Sequence, residues 1–320
     1  MALSLTLNQN EFLGNLVNLV VKTRVNRTVK GERINELIDS CLIEGTPYGD
    51  GSLHITVDTL NVGDYSETSS ILTNVKPTVD EQVISTTDRK KIQVTLNRWV
   101  SRGAFADEYS LDEMLGAVEE MLNKTKLIYL YKKIVSAYDG WVPTQGTQTV
   151  TVDLIDTTGM TGATKIESEK ANALAIYTVI KRVSLAMQAP SRKYNDLEFE
   201  EMYNADDIDF ISNGKFESLV NTYAIASLLH SDKLDNIKLY DKSIIIPEEQ
   251  FTTDAIKQLC IGWLVSKNKY VISPRFEVMT SFEDGSNLMI QDFLHFWLNS
   301  GFVNGLAGVK LVANFVAPEA

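Results

Sequence analysis

The chain has 320 residues, of which 44% are hydrophobic and 22% charged, and its 30 basic and 42 acidic side chains give a formal net charge of -12. This length and apolar content suffice for one large or two ordinary domains with a buried core, which excludes a disordered protein. The acidic balance disfavours a protein whose outer surface binds nucleic acid or anionic lipid.

Targeting signals and disulfides are not expected. The N-terminus MALSLTLNQNEF has no basic leader and no continuous apolar run, and no stretch approaches the roughly 20 apolar residues of a membrane span. Cys41 and Cys260 lie far apart in helix-like sequence, which predicts buried thiols and folding in a reducing compartment. We therefore expect a soluble protein that does not bind membranes.

The first 45 residues predict an N-terminal arm. Helix-like apolar stripes run from Asn8 to Val25 and from Gly31 to Ile43. Between and beside them lie five basic residues: Lys22, Arg24, Arg27, Lys30 and Arg33. These basic residues fit either the solvated side of a helix or a contact with nucleic acid or another partner.

A glycine-rich break from Gly45 to Gly51 precedes an acidic segment. Leu53, Ile55 and Val57, and later Ile71 and Val75, alternate with polar residues and predict a long hairpin. No Lys or Arg occurs from Gly45 to Val75, whereas four acidic residues do: Asp50, Asp58, Asp64 and Glu67. Since the segment has too few large apolar residues to bury itself, we expect it to lean on another surface, preferably a neighbouring subunit.

A strand through Ile92, Val94 and Leu96 is followed by a long helix from Ser110 to Asp139. Ser110 and Glu113 have the spacing of a capping box, an apolar stripe continues to Tyr138, and Gly140 ends the run. About 30 residues at 1.5 Å each give a rod of roughly 45 Å.

The remaining sequence alternates between strand and helix patterns, which predicts a mixed sheet flanked by helices. A capping box at Thr164 and Glu167 opens a helix that runs through Met187 and stops before Pro190. The other predicted elements are strands at 150–154, 208–211, 244–246 and 270–272, helices at 216–229 and 255–264, an exposed loop at 231–241, and strand-like segments from 275 to a last strand at 308–315. We expect these closing strands to return to the first sheet.

This order of elements resembles the major capsid proteins of tailed bacteriophages, which have the α+β Hong Kong 97-like fold. The resemblance rests on the glycine-bounded loop, the long spine helix and the closing stretch PRFEVMTSFEDGSNLMIQDFLHFWLNSGF. It implies an N-terminal arm at 1–45, an extended loop at 46–80, a peripheral domain with the spine helix at 81–145, an axial domain at 146–274, and a return to the peripheral domain at 275–320.

The resemblance implies a structural subunit and not an enzyme. Such a subunit self-assembles into hexamers and pentamers of an icosahedral capsid in the bacterial host cytoplasm and remains in the virion, where the shell encloses double-stranded DNA without sequence-specific binding. A portal and a separate scaffolding protein are implied, because the arm looks too short to carry a fused scaffold. The start at Met1 predicts that no propeptide is removed. Some relatives weld the shell by a lysine–asparagine bond, but Lys76 lies only at the base of this loop, so we expect a non-covalent shell.

Two groups of residues are candidates for subunit contacts. We expect the acidic loop residues Asp50, Asp58, Asp64 and Glu67 to approach basic residues of an adjacent subunit, namely Arg89, Lys90, Lys91, Arg98 and Arg102. Each exposed pair contributes only about 0 to 1 kcal/mol, so such pairs set register while apolar contacts supply affinity. In the predicted exposed loop, residues for the capsomer axis are Asp232, Lys233, Asp235 and Lys238.

Two other functions remain open from the sequence. An encapsulin-like nanocompartment shell resembles the same fold, and composition does not separate it from a capsid. A metal-dependent enzyme would use the clustered carboxylates Asp206, Asp207 and Asp209, but no EF-hand spacing or phosphate-binding loop accompanies them. His54, His230 and His295 are too scattered for a zinc site, so we expect neither a cofactor nor a metal.

Overall fold

The computed structural model describes residues 32–45, 51–60, 62, 76–97, 108–225, 243–284 and 289–317. Its helices are α1 Glu32–Cys41, α2 Glu108–Asp139, α3 Gly162–Met187, α4 Gly214–Val220 and α5 Asp254–Leu259. Its strands are β1 Gly51–Val57, β2 Val79–Asn97, β3 Thr149–Ile155, β4 Ile208–Asn213, β5 Ser243–Ile246, β6 Cys260–Ser266, β7 Tyr270–Asp284, β8 Met289–Phe302 and β9 Gly308–Val316. None of the described helices is long and apolar enough to cross a membrane.

The chain divides into two compact units, and the first comprises Met1–Ser52, Ile84–Lys133 and Ile272–Gly301. Here β2 pairs antiparallel with β8 from Thr86–Asn299 to Asn97–Met289. The strand order is β1-β2-β8-β7, and the residues from Leu53 of β1 to Val83 of β2 are counted with the second unit. Side chains alternate between the two faces of a strand, and one face is buried beneath α2. The buried apolar residues of this unit include Val94, Leu122, Leu130, Met279, Leu294, Phe296 and Leu298.

The second unit comprises Leu53–Val83, Ile134–Val271 and Phe302–Ala320. Its five-stranded sheet has the order β3-β9-β6-β4-β5, with parallel pairs at the two ends and antiparallel pairs between them. Every residue of the inner strands β4 and β6 is buried, which explains why both read as continuous runs rather than alternations. The core of this unit joins the sheet to α3 and α4 through residues such as Ile176, Ile180, Phe210, Phe216, Leu264 and Leu311.

The long helix is confirmed, but both predicted capping boxes are wrong. Helix α2 already begins at Glu108, so Ser110 lies inside it. Likewise Thr164 lies inside α3, which begins at Gly162 after Thr161. Gly162 has φ of 68°, a value that glycine adopts readily, and it lets the chain turn into the helix two residues earlier than the pattern indicated. The predicted end of α3 at Met187 is confirmed.

The predicted helix at 255–264 is wrong in its second half. Helix α5 ends at Leu259, and Cys260 begins the buried strand β6. A short apolar run such as CIGWLV has no period that separates a buried strand from a buried helix. Both cysteines are nevertheless free and buried, as predicted.

Strand positions are mostly confirmed, with one difference in pairing. Strand β8 lies beside β2, and β7 lies on the other side of β8, so both strands join the sheet of β2, as expected of the closing stretch. The last strand exists, but β9 pairs with β3 and β6 in the five-stranded sheet instead of returning to the first sheet. Several predictions fall outside the described residues: the helix at 8–25, the strand positions Ile71 and Val75, the end of the helix at 216–229, and the loop at 231–241.

Candidate assembly surfaces

The hairpin of β1 and the start of β2 turns its aliphatic side chains away from its own unit. Leu53, Ile55 and Val57 are 56, 58 and 52% exposed, and Val83 on β2 is 66% exposed. The intervening positions His54, Thr56 and Asp58 are only half-exposed. Thr56 packs so closely on Gly305 that a Cβ at that glycine would lie 2.1 Å from the threonine Oγ1. Burial also lowers the pKa of His54. The polar side of β1 therefore faces inward and the aliphatic side, which we call the hairpin stripe, faces solvent.

Asp58 has its partners within its own chain. Its carboxylate accepts hydrogen bonds from the backbone N–H of Glu200 at 3.0 Å and of Thr59 at 2.9 Å, and from Arg192 Nη1 at 3.0 Å. The hydrogen bond from the Glu200 N–H has the largest effect and lowers the pKa of Asp58. Desolvation raises this pKa, and Thr59 and Arg192 lower it further, so the net shift is downward. The Asp58 side chain is only 12% exposed, so it belongs to an internal contact rather than to the acidic surface that the sequence indicated.

The three consecutive basic residues of β2 are exposed and lie over aromatic rings. Arg89 Cζ is 4.9 Å from the ring centre of Trp297, and Lys91 Nζ is 5.5 Å from that of Phe293. Lys90 Nζ is 5.9 Å from the ring centre of Tyr129, which belongs to α2. Because side chains alternate along a strand, Arg89 and Lys91 share one face and Lys90 lies on the other. The sequence analysis grouped the three residues as a single basic patch, whereas the structure places their side chains on two different faces of the sheet.

The face that carries Arg89 and Lys91 is rich in uncovered aromatic side chains. We call it the aromatic face; it contains Phe276, Val278 and Phe282 of β7, which are exposed, and Phe293, His295 and Trp297 of β8, which are half-buried. The rings of Phe276 and Trp297 lie 4.8 Å apart. Glu277 faces the other way and pairs with Lys126 of α2 at 2.7 Å. Among the described side chains, this face carries two cations and no carboxylate.

The carboxylates proposed for a metal are not brought together. Asp206 and Asp207 lie in a short turn before β4, and Asp207 Oδ2 accepts from Asn204 Nδ2 at 3.1 Å. Asp209 is buried within β4. In the described ranges, no three His, Cys, Asp or Glu side chains are grouped to hold a metal ion. His54 lies on β1 and His295 on β8.

Sequence reasoning missed Arg192, Glu200 and the aromatic face. The first two are far from Asp58 in sequence and carry no local signal, whereas the alternating aromatics of β7 and β8 would have indicated the third. Other candidate residues lie outside the described residues: Asp50, Asp64, Glu67, Arg98, Arg102, Asp232, Lys233, Asp235, Lys238 and His230.

Solved structures of several phage proteins are similar to this chain. A capsid structure of Staphylococcus phage Andhra matches with a TM-score of 0.63 and 13% identity over 91% of this chain and 88% of that one. A structure of the head fibre and inner core protein of native bacteriophage P68 matches at 0.58 and 12% over 90% and 88%. The mature capsid of bacteriophage PhiM1 matches at 0.53 and 10% over 86% of both chains. At these identities the likeness shows the fold, and it agrees with the Hong Kong 97-like architecture expected from the sequence. The curated proteins contain no match.

The family is shown by a separate comparison. The profile of the Phi29-like phage major capsid protein family matches residues 3–304, which is nearly the whole chain. The chain therefore belongs to the Phi29-like phage major capsid protein family.

Proposed function

We propose that this chain is the structural subunit of an icosahedral tailed-phage shell, in which hexamers and pentamers enclose double-stranded DNA without reading its sequence. The family match over residues 3–304 carries this proposal. The subunit has no catalytic role; it assembles in the bacterial host cytoplasm with a portal and a separate scaffolding protein, and it stays in the virion. No observation favours an encapsulin-like compartment or a metal-dependent enzyme.

Two uncovered surfaces suit contacts between copies. The hairpin stripe is aliphatic, and the aromatic face is apolar with Arg89 and Lys91 on it. The stripe is followed in sequence by Asp64 and Glu67, and the segment has no Lys or Arg before Lys76. In our proposal, the stripe of one copy packs on the aromatic face of the next, and the acidic residues meet the two cations. Two different patches joined in this way form a heterologous contact, which gives rings when the rotation between successive copies closes, as hexamers and pentamers require.

The charges in this contact set register and the apolar groups supply affinity. An exposed ion pair contributes only about 0 to 1 kcal/mol to binding. A stable interface buries about 800 Å² on each partner, and the apolar part of this area supplies most of the affinity. Arg98 and Arg102, which follow β2, extend the basic side of the contact in this proposal, and Asp50 extends the acidic side. Lys90 is excluded from it because it lies on the α2 face.

The domain boundaries read from the sequence stand as part of the proposal. Residues 1–45 form the arm, 46–80 the extended loop, 81–145 and 275–320 the peripheral domain, and 146–274 the axial domain. The loop at 231–241 then places Asp232, Lys233, Asp235 and Lys238 at the capsomer axis. Within the stretch 275–320, strand β9 is an exception to this division, because it pairs with β3 of the segment that we propose as the axial domain.

Negative-stain electron microscopy tests the shell, and a charge reversal tests the contact. The purified protein, alone and co-expressed with its scaffolding protein, should give closed shells or rings of five and six. Arg89→Glu with Lys91→Glu should abolish these particles while circular dichroism stays unchanged. Lys124→Glu with Lys132→Glu is the matched control, since both lysines are exposed on α2 and the change in net charge is equal.

Each result has a definite meaning. A monodisperse monomer or dimer from the unchanged protein under both conditions would contradict the shell. Normal particles from the Arg89 and Lys91 variant, or equal failure of the control, would contradict the contact alone.

A further inference from the structure

Both strands of the hairpin are hydrogen-bonded to other segments of the second unit, to which the hairpin belongs. After β1, Asp58 accepts from the backbone of Glu200 and from Arg192, and Thr59 Oγ1 donates to Glu200 Oε2 at 3.1 Å. On β2, Gln82 Nε2 donates to the carbonyl of Phe302 at 2.7 Å, and Gln82 Oε1 accepts from the N–H of Asn304 at 2.8 Å. The two strands are thus tied to two separate segments of the same unit.

The segment that receives Asp58 is itself ordered by its own bonds. Ser191 and Glu201 exchange backbone hydrogen bonds of 3.0 and 3.2 Å, which close a loop around residues 192–200. Inside it, Asn195 bonds both the N–H and the carbonyl of Phe199 at 3.0 and 2.6 Å. The ties therefore connect the hairpin to a segment whose shape is held by hydrogen bonds of its own.

These ties are polar, whereas the rest of the second unit is held mainly by its apolar core. The hairpin stripe is exposed, so no apolar packing of that face restrains the hairpin. Arg192 is 48% exposed, and exposed charged contacts are individually weak. The hairpin is therefore held on its inner side, by these polar contacts and by the packing of Thr56 on Gly305, and this side determines where the aliphatic side chains point.

We propose that Asp58, Thr59, Arg192, Glu200 and Gln82 form a latch that sets the direction in which the hairpin leaves its unit, and that this direction determines the curvature of the assembled shell. The second half of this inference rests on the proposed function, and the first half concerns the monomer alone. A change in the latch alters the angle between copies without changing the surfaces that touch.

A distance measurement on the monomer tests the first half. Both native cysteines are buried, so cysteines introduced as Val62→Cys, which is fully exposed beyond β1, and Leu185→Cys, which is exposed on α3, can be spin-labelled selectively. Pulsed electron resonance should give one narrow distance distribution in the protein with an intact latch. Adding Asp58→Ala with Gln82→Ala, which removes one tie from each strand, should widen the distribution at least twofold.

Controls separate the latch from general damage. Asp153→Ala with Gln250→Ala removes an exposed carboxylate and an exposed amide that lie outside both the hairpin and the aromatic face. This pair should leave the distribution unchanged, and thermal unfolding should be alike in both variants. An unchanged width in the Asp58 and Gln82 variant, or a broad distribution in the intact protein, would overturn the latch.

Particle size tests the second half. Electron microscopy of the Asp58 and Gln82 variant, without the added cysteines, should show particles of altered or mixed diameter beside uniform particles of the control. Uniform particles of unchanged diameter, despite a widened distance distribution, would overturn the link to curvature. If the unchanged protein never assembles, the proposed function fails while the monomer measurement still decides the latch.

Discussion

Replacing Lys269 with methionine should destabilise the second unit strongly. The Lys269 side chain is 0% exposed, and its ammonium donates to Asp196 Oδ2 at 2.8 Å, to the carbonyl of Val303 at 2.9 Å and to that of Leu306 at 2.7 Å. Methionine has a similar length and preserves packing, but it leaves one carboxylate and two carbonyls without this donor. The substitution therefore isolates the polar part of the site from its shape.

The expected loss is a large part of the total stability. Removing one partner of a buried ion pair costs about 3 to 5 kcal/mol, whereas a whole domain has about 5 to 15 kcal/mol. Gln148 Nε2 still donates to Asp196 Oδ1 at 3.0 Å, which favours the lower end, near about 3 kcal/mol. At about 2 to 4 °C per kcal/mol for a unit of this size, the melting temperature should fall by about 6 to 12 °C.

Urea denaturation of the monomer, followed by tryptophan fluorescence, to which the buried Trp141 and Trp263 of the second unit contribute, measures this loss. Lys267→Met is the matched control, because Lys267 is exposed in the same turn and its backbone bond to Asp207 is kept. The control should stay within about 0.5 kcal/mol of the unchanged protein. A loss below about 1 kcal/mol for Lys269→Met, or equal losses in both variants, would refute the reasoning.

The same pair predicts a pH dependence. Burial lowers the pKa of Lys269 from 10.5, and the charge of Asp196 offsets part of this shift. Between the lowered pKa and 10.5, the unfolded chain binds more protons than the folded one, so stability rises with pH. The difference in unfolding free energy between the unchanged protein and Lys269→Met should therefore widen as pH rises through that interval, and a constant difference would contradict it.

Two further substitutions test a close backbone contact and a set of buried hydrogen bonds in the five-stranded sheet. Gly262→Ala should cost about 1 to 3 kcal/mol, because its Cβ would lie 2.5 Å from the carbonyl oxygen of Ile211, whereas Gly146→Ala meets open space and should be neutral in thermal unfolding. Asn213→Ala should lower the free energy of unfolding by about 1 to 3 kcal/mol, because this fully buried side chain donates hydrogen bonds to three carbonyls of α5 and the start of β6. Asn314→Ala, at an exposed asparagine, is the control. Equal unfolding curves for the two variants would contradict this role of Asn213.

Long, strongly patterned elements could be predicted from the sequence. The stripe that ends at Tyr138 persists for about eight turns and is followed by Gly140, so α2 was placed to within two residues at its start and to the residue at its end. The buried strands β4 and β5 were found because short β-branched runs lie between turn residues. These patterns depend only on neighbouring residues, and the structure confirms the elements that they predict.

Partners that are distant in sequence could not be predicted. Strand β9 was recognised as a strand, yet nothing in its residues says that it pairs with β3, more than 150 positions earlier, rather than with β2. Arg192 was not connected to Asp58 for the same reason. The pattern of a strand determines which of its side chains share a face, whereas pairing with distant segments determines which sheet the strand joins.

The hairpin shows where the usual rule for a strand fails. Alternation placed Leu53, Ile55 and Val57 on one face, and the general expectation for a folded chain is that the apolar face turns inward. Here Asp58 is bound by Glu200 and Arg192, and this fixes the opposite, polar face toward the chain. Turning the strand over would bury the aliphatic residues, but it would strip Asp58 of its hydrogen bonds from Glu200 and Arg192. A strand held with its aliphatic side outward depends on those polar contacts in a single chain. In the contact that we propose, a second copy covers the stripe and adds the apolar burial that the monomer lacks. The proposed contact between copies therefore gives a physical reason for the outward orientation of the stripe.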